Sequence, residues 1–251
     1  MPGESKAPSR STVPAVVRRV APIVVRHRAF RVFLLAVFAF FWMPISQCAW
    51  LNFIDPWFTQ TMVERALQDG WPESDDIDLD DLPRQVPLQF VSAEDQHFFE
   101  HNGFDWTSIQ LAWDHYWGRT ENAPIRGAST ISQQVSRNVF LWQKRSWLRK
   151  GLEAWYTIWL ELLVPKERIL EVYLNVAETG PHQFGVEAAA QHWYKKPAKD
   201  LSANEAATIA SLLPAPRSRV PTAAKSKKRA AWIVKHPAPW RGEKAKKPVK
   251  R

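Results

Sequence analysis

The sequence predicts an all-α domain carried behind one membrane-spanning helix. Three observations predict it. From Pro87 onward apolar residues recur at helical spacing between capping residues. No stretch alternates with period two. An uncharged run of twenty-three residues, Val32 to Ile54, precedes the domain. The chain of 251 residues is 45% hydrophobic and 24% charged, enough apolar material for one sizeable core, which excludes global disorder. A single cysteine, Cys48, excludes an intramolecular disulfide framework and a CxxC zinc knuckle.

The net charge of +9 is unevenly spread. Residues 1–31 carry seven Lys/Arg and one acid, and residues 225–251 carry eleven and one. Between them sixteen basic residues face twenty-three acidic ones. The basic charge therefore sits in the two tails, and the folded part is no nucleic-acid partner.

The elements follow in order. Residues 1–28 form a basic tail and residues 29–54 an anchor. A helix over the uncharged run would reach roughly 35 Å, enough to cross a bilayer. Pro44 would kink it without breaking it. Arg18, Arg19, Arg26, Arg28 and Arg31 precede the run and Asp55 follows, so the N-terminus is expected in the cytoplasm and the rest outside. Trp42, Trp50 and Trp57 would sit at the outer interface. The alternatives are a buried core helix and a cleaved signal peptide, the latter fitting less well because the run is long and no small-x-small site follows.

The folded domain is expected over residues 55–222. Residues 69–81, with seven acids, read as an exposed loop. A helix beginning near Pro87 carries Glu94, Phe98 and His101 at i, i+4 and i+7, and Asn102-Gly103 stops it. Ile109, Trp113 and Tyr116 form an apolar stripe behind the cap candidates Asp105 and Thr107, with Gly118 as a stop. Thr130-Ile-Ser-Gln133 is a capping box opening the next helix, and residues 146–164 form a long apolar-faced segment. Pro165 suits the first position of a helix running to about Ala177. Ser202-Ala-Asn-Glu205 is a second capping box, whose helix ends before Pro214. Trp142, Trp147, Trp155 and Trp159 are expected in core and interface packing, with membrane contact near the anchor as the alternative. The Lys-, Ala- and Pro-rich residues 223–251 read as a basic disordered tail suited to anionic headgroups.

Two sets of residues invite a chemical reading. His97-Phe-Phe-Glu-His101 matches the H-x-x-E-H zinc pattern, but the site needs a further ligand that the sequence does not single out, so no metal site is assigned. The other set is larger. Glu94-Asp95-x-x-Phe98-x-x-His101-x-Gly103 is followed by Gly127-Ala-Ser129-Thr130-Ile-Ser132-Gln133-Gln134-Val-Ser-Arg137-Asn138. Then come Arg149-Lys150-Gly-Leu-Glu153 and Ile169-Leu-Glu171-Val-Tyr173-Leu-Asn175. In order and spacing these motifs resemble the family-51 glycosyltransferases, the peptidoglycan transglycosylases, over about residues 85–220. No S-x-x-K with a transpeptidase domain accompanies them, so the chain resembles the monofunctional, membrane-anchored type. Ala128 stands where the family commonly has Gly, Arg137 where it has Lys, and Thr179 where an aromatic is common. Arg137 keeps the charge and adds a bidentate fork for phosphate.

The resemblance implies a lysozyme-like helical fold with a smaller membrane-facing subdomain. It implies an inverting transfer that extends a β-1,4-linked glycan from lipid II and releases undecaprenyl pyrophosphate, on the periplasmic face of a bacterial inner membrane. Glu94 would be the general base on the acceptor 4-hydroxyl. Glu153 would be a second functional carboxylate near the donor phosphates, although its spacing also suits an ion pair with Arg149 or Lys150. Arg137 and Arg145 match pyrophosphate-contacting positions, Ser129 and Gln133 match polar donor contacts, and Arg149 and Lys150 add cations. Glu171 and Asn175 read as a scaffold hydrogen-bond pair. No cofactor is required, with Mg or Mn admitted as an aid at the pyrophosphate. The partners implied are lipid II, the growing glycan, inner-membrane lipid and a cell-wall synthesis complex. A lytic glycosidase would use paired carboxylates without phosphate-binding cations. A non-catalytic membrane protein would depend on its basic tails and not on Glu94.

Overall fold

The computed structural model describes the backbone of residues 15–118 and 129–243, and side chains from Arg28 onward. The Gly127-Ala128 pair lies outside the described residues. The chain divides into two units, Met1–Pro44 and Ile45–Arg251.

The first unit is the greater part of helix α1, Ala15–Trp50. Its segment Arg28–Trp50 is long and apolar enough to cross a membrane. Phe30, Val32, Phe33, Leu35 and Phe38 are all exposed, as expected of a helix that is apolar around its whole circumference.

The second unit is helical with one small sheet. Its described helices are α2 (Gln60–Asp69), α3 (Gln85–Glu94), α4 (Trp106–Tyr116), α5 (Ile131–Phe140), α6 (Trp147–Leu163), α7 (Lys166–Val176), α8 (Gly185–Tyr194), α9 (Ala203–Leu212) and α10 (Ala224–Lys235). α7 is the centre of the core, with Ile169, Leu170, Val172 and Tyr173 fully buried. α5 packs on α6 and α7, while α3 packs on α9 and α10. Three strands, β1 (Glu73–Ser74), β2 (Glu178–Gly180) and β3 (Gln183–Phe184), form a sheet in the order β1-β3-β2. β1 runs parallel to β3 and β2 antiparallel to it. Strands of two or three residues are too short to show an alternating pattern, which is why the sequence predicts helix alone.

Both capping boxes form. Thr130 and Gln133 close on each other at the start of α5, and Ser202 and Glu205 do so at the start of α9. Ser146 caps α6, its Oγ accepting from Arg149 N at 3.1 Å. Pro165 stands at the N-cap of α7.

Four features depart from or add to the sequence pattern. First, α3 stops at Glu94 rather than running to His101. Asp95 leaves the helical region at φ −152°, and its carboxylate accepts from Ile131 N at 3.0 Å and pairs with His101 Nε2 at 3.0 Å. That clasp holds the end of α3 against the positive end of α5. The turn that follows needs Gly103, whose φ is +85° and whose Cβ, if present, would lie 2.7 Å from Thr157 Cγ2. Second, no residue of α4 is buried, so its apolar stripe faces away from the core. Third, Trp147 is exposed, whereas Trp142 and Trp159 pack on the core. Fourth, the tail expected to be disordered begins with a helix. α10 buries Ala230 and Ile233 at i, i+3 against α9, beneath a lysine-rich outer face that dominates the composition. The chain continues as a strap in which Ala238 N donates to Ser92 Oγ at 2.8 Å and Trp240 packs on Phe99. Residues 244–251 lie outside the described residues.

Candidate active site

Glu94 is the last residue of α3, with its side chain 15% exposed. Its two oxygens have different donors. Oε1 accepts from Arg229 Nη2 at 2.9 Å, and Oε2 accepts from Gln134 Nε2 at 3.1 Å. Burial pushes its carboxyl above the usual carboxylate range, opposed in part by Arg229, Gln134 and Arg137. A carboxyl shifted in that direction holds a proton more strongly than a solvated one, which suits a general base.

Arg137 lies one turn beyond Gln134 on α5, so the two share a helix face. Its Nε donates to Asn138 Oδ1 at 3.3 Å. Burial lowers its pKa, opposed by Glu153 and augmented by the like charge of Arg149. On α6, Arg149, Lys150 and Glu153 fall within one turn. Glu153 is 1% exposed, and Arg149 Nη1 reaches its Oε2 at 2.7 Å while Lys150 Nζ bonds its Oε1. Lys150 Nζ also points to Ser129 Oγ at 3.5 Å. Tyr173, from α7, is fully buried, and its hydroxyl has no hydrogen-bond partner among the described residues. Burial and then the charge of Glu94 push its pKa well above the phenol range.

The fold thus gathers Glu94, Arg137, Arg149, Lys150, Glu153 and Ser129 into one connected set. Arg145 is exposed in the loop before α6. Gln133 turns to its own helix end, where its Oε1 accepts from Thr130 N at 3.1 Å. The neighbouring Gln134 is the glutamine on the carboxylate, and sequence reasoning passed over it although it stands in the same motif. Tyr173 was likewise legible as part of a motif but not as a neighbour of Glu94. Arg229 was missed outright, and the Ala230 and Ile233 spacing was the available signal.

His97 and His101 do not converge. His97 Nδ1 lies 3.2 Å from Asp105 Oδ2, and His101 pairs with Asp95. Glu171 and Asn175 do not bond each other either. Glu171 Oε2 accepts from Leu79 N at 2.7 Å, and Asn175 exchanges two 3.1 Å bonds with the backbone of Ile77. They fasten the acidic segment to α7.

A family model described as transglycosylase matches residues 60–238, a span that includes α3, α5, α6, α7 and α10. The chain belongs to the transglycosylase family. It is 46% identical over 200 residues to a biosynthetic peptidoglycan transglycosylase of Xanthomonas oryzae, covering 76% of this chain and 80% of that protein. A protein of the same name from Pseudomonas aeruginosa is 46% identical over 192 residues, covering 73% and 81%. One from Xylella fastidiosa is 42% identical over 209 residues, covering 80% and 84%. The transglycosylase match extends through α10, so the helix bearing Arg229 lies inside the family domain. The fold is that of a transglycosylase, helical and lysozyme-like.

Proposed function

We propose that the protein is a peptidoglycan glycosyltransferase that polymerises lipid II into β-1,4-linked glycan. The reading is supported by its family and by the names its relatives carry. The observation that carries it is the half-buried carboxylate of Glu94 on the same site as the cations Arg137, Arg149 and Lys150. Glu94 takes the proton from the acceptor 4-hydroxyl as that oxygen attacks the anomeric carbon of the donor. The bond from that carbon to the pyrophosphate breaks, the configuration inverts, and undecaprenyl pyrophosphate leaves. Arg137 and Lys150, with Ser129, meet the charge that develops on the leaving oxygen. Arg145, exposed in the loop before α6, is the further cation assigned to the phosphates. Glu153 acts by holding Arg149 and Lys150 in place. A glycosidase has no use for such a group of cations.

Among the described residues no three His, Cys, Asp or Glu side chains are grouped to hold a metal ion. A divalent cation at the pyrophosphate would be held largely by the phosphate oxygens, and no step is assigned to one. The arginines before the anchor support an orientation with the catalytic unit on the periplasmic side of the inner membrane, which a reporter fused after residue 60 would test.

The experiment is polymerisation of lipid II by the purified full chain in detergent, with products resolved by gel. The protein should make glycan, and Glu94→Gln should reduce the rate by about 10²-fold or more, the scale of losing a general base. A near-parental rate for Glu94→Gln would sink the assignment of the base.

A further inference from the structure

We propose that Arg229, carried by α10, is the positioning residue that holds Glu94 as a carboxylate oriented for proton abstraction. The inference rests on the reading of Glu94 as the base and names what keeps it ready.

The geometry places one guanidinium nitrogen on two acceptors. Arg229 Nη2 donates to Glu94 Oε1 at 2.9 Å and to Ala93 O at 2.9 Å. The second acceptor is a carbonyl of the last turn of α3, where a cation is favoured by the helix dipole. Arg229 therefore grips the base and the backbone that carries it together. The grip comes from a rigid element, because Ala230 beside it and Ile233 one turn on are buried. The strap beyond adds two ties to the same region. Ala238 N donates to Ser92 Oγ at 2.8 Å, and Gln96 Nε2 donates to His236 O at 3.1 Å.

The charged and titratable groups that face Glu94 come from several elements. They are Arg229 from α10, Arg137 from α5, Tyr173 from α7, and Asp95 beside it, already engaged with His101. Gln134 donates to Oε2 but carries no charge. Of the two cations, Arg137 is assigned to the donor pyrophosphate, which would absorb its charge once the substrate is bound. Tyr173 stays neutral, since its pKa lies well above the phenol range. Arg229 is then the cation left to offset the cost of an ionised carboxylate in a largely dry site. With Oε1 engaged by Arg229 and Oε2 by Gln134, each oxygen keeps one lone pair, and the fixed plane decides where those lone pairs point.

The test is the pH dependence of kcat/KM with lipid II, from about pH 5 to 9, for the full chain in detergent. An adjacent cation typically lowers a carboxyl pKa by about 1–3 units. Arg229→Gln should therefore move the acid limb upward by about that much, losing roughly 10-fold or more at pH 6 and recovering toward the parent rate in alkali. Arg229→Met, which keeps the stem, is the second neutral variant should the glutamine fail to fold. Arg229→Lys keeps the charge and should move the limb less than either. An unmoved limb in a folded neutral variant overturns the proposal. So does a loss of equal size at every pH, which is what a purely structural role produces. An inactive Glu94→Gln beside an unmoved limb defeats this proposal alone. An active Glu94→Gln defeats the base assignment beneath it.

Discussion

Glu153 illustrates how far single residues could be read. Its place in the sequence marked it as belonging to the site, but its spacing from Arg149 and Lys150 admitted either a carboxylate for substrate or one for its own helix. The structure gives both of its oxygens to those cations and leaves the side chain 1% exposed. Its loss should therefore be felt first as stability. The Arg149 half of the pair is buried, and removing one partner of such a pair costs about 3–5 kcal/mol. The Lys150 half is 42% exposed and adds little. Glu153→Gln should lower the unfolding free energy by about 3 kcal/mol in a denaturant titration, and should raise the KM for donor more than it lowers kcat. Unchanged stability with a kcat reduced by about 10²-fold would instead make Glu153 a participant in the chemistry. The same limit explains the two glutamines. Sequence gives a motif its members, but only backbone direction decides that Gln133 turns to the cap and Gln134 to Glu94.

Among the elements, those announced by side-chain chemistry were legible. Thr130 with Gln133, and Ser202 with Glu205, mark helix starts because each side chain satisfies a backbone donor that the helix cannot. α10 was not legible, because lysines on its outer face hide a narrow apolar seam. The end of α3 was misread because Asp95 leaves the helix to serve a tertiary clasp with His101 and α5, a demand set by residues distant in sequence. The box that opens α9 also carries a pH signature. Burial alone would raise the Glu205 carboxyl, but Lys196 and the hydroxyl and N–H of Ser202 outweigh it and hold the group down to about 2. A carboxyl lowered by folding stabilises the native state above its unfolded pKa, near 4.5, and that benefit is lost as pH falls through about 2. Glu205→Gln should therefore melt below the parent at pH 7, and the gap should narrow steadily between pH 4.5 and pH 2. A gap of constant size across that window would remove the charge from the explanation.

For the whole molecule, periodicity revealed an apolar face on α4 but not what covers it. A helical stripe of Trp and Tyr usually means core. On α4 it means surface, since Trp106, Leu111, Trp113 and Tyr116 are exposed and Trp117 follows them at the C-cap. A contiguous apolar patch on a folded unit marks an interaction site, and tryptophan and tyrosine favour the membrane interface. Burying one large apolar side chain contributes about 1.5–3 kcal/mol, so removing three would change the time spent docked on the bilayer by orders of magnitude. The full chain with Trp106, Trp113 and Trp117 replaced by Ala should keep its lipid II polymerisation rate in detergent within about two-fold. In proteoliposomes, where lipid II must be met at the bilayer surface, the rate should fall by about 10-fold or more. Equal losses in detergent and bilayer would show that these aromatics serve the fold or the site directly. Equal retention in both would leave the anchor alone to bring the catalytic unit to its substrate.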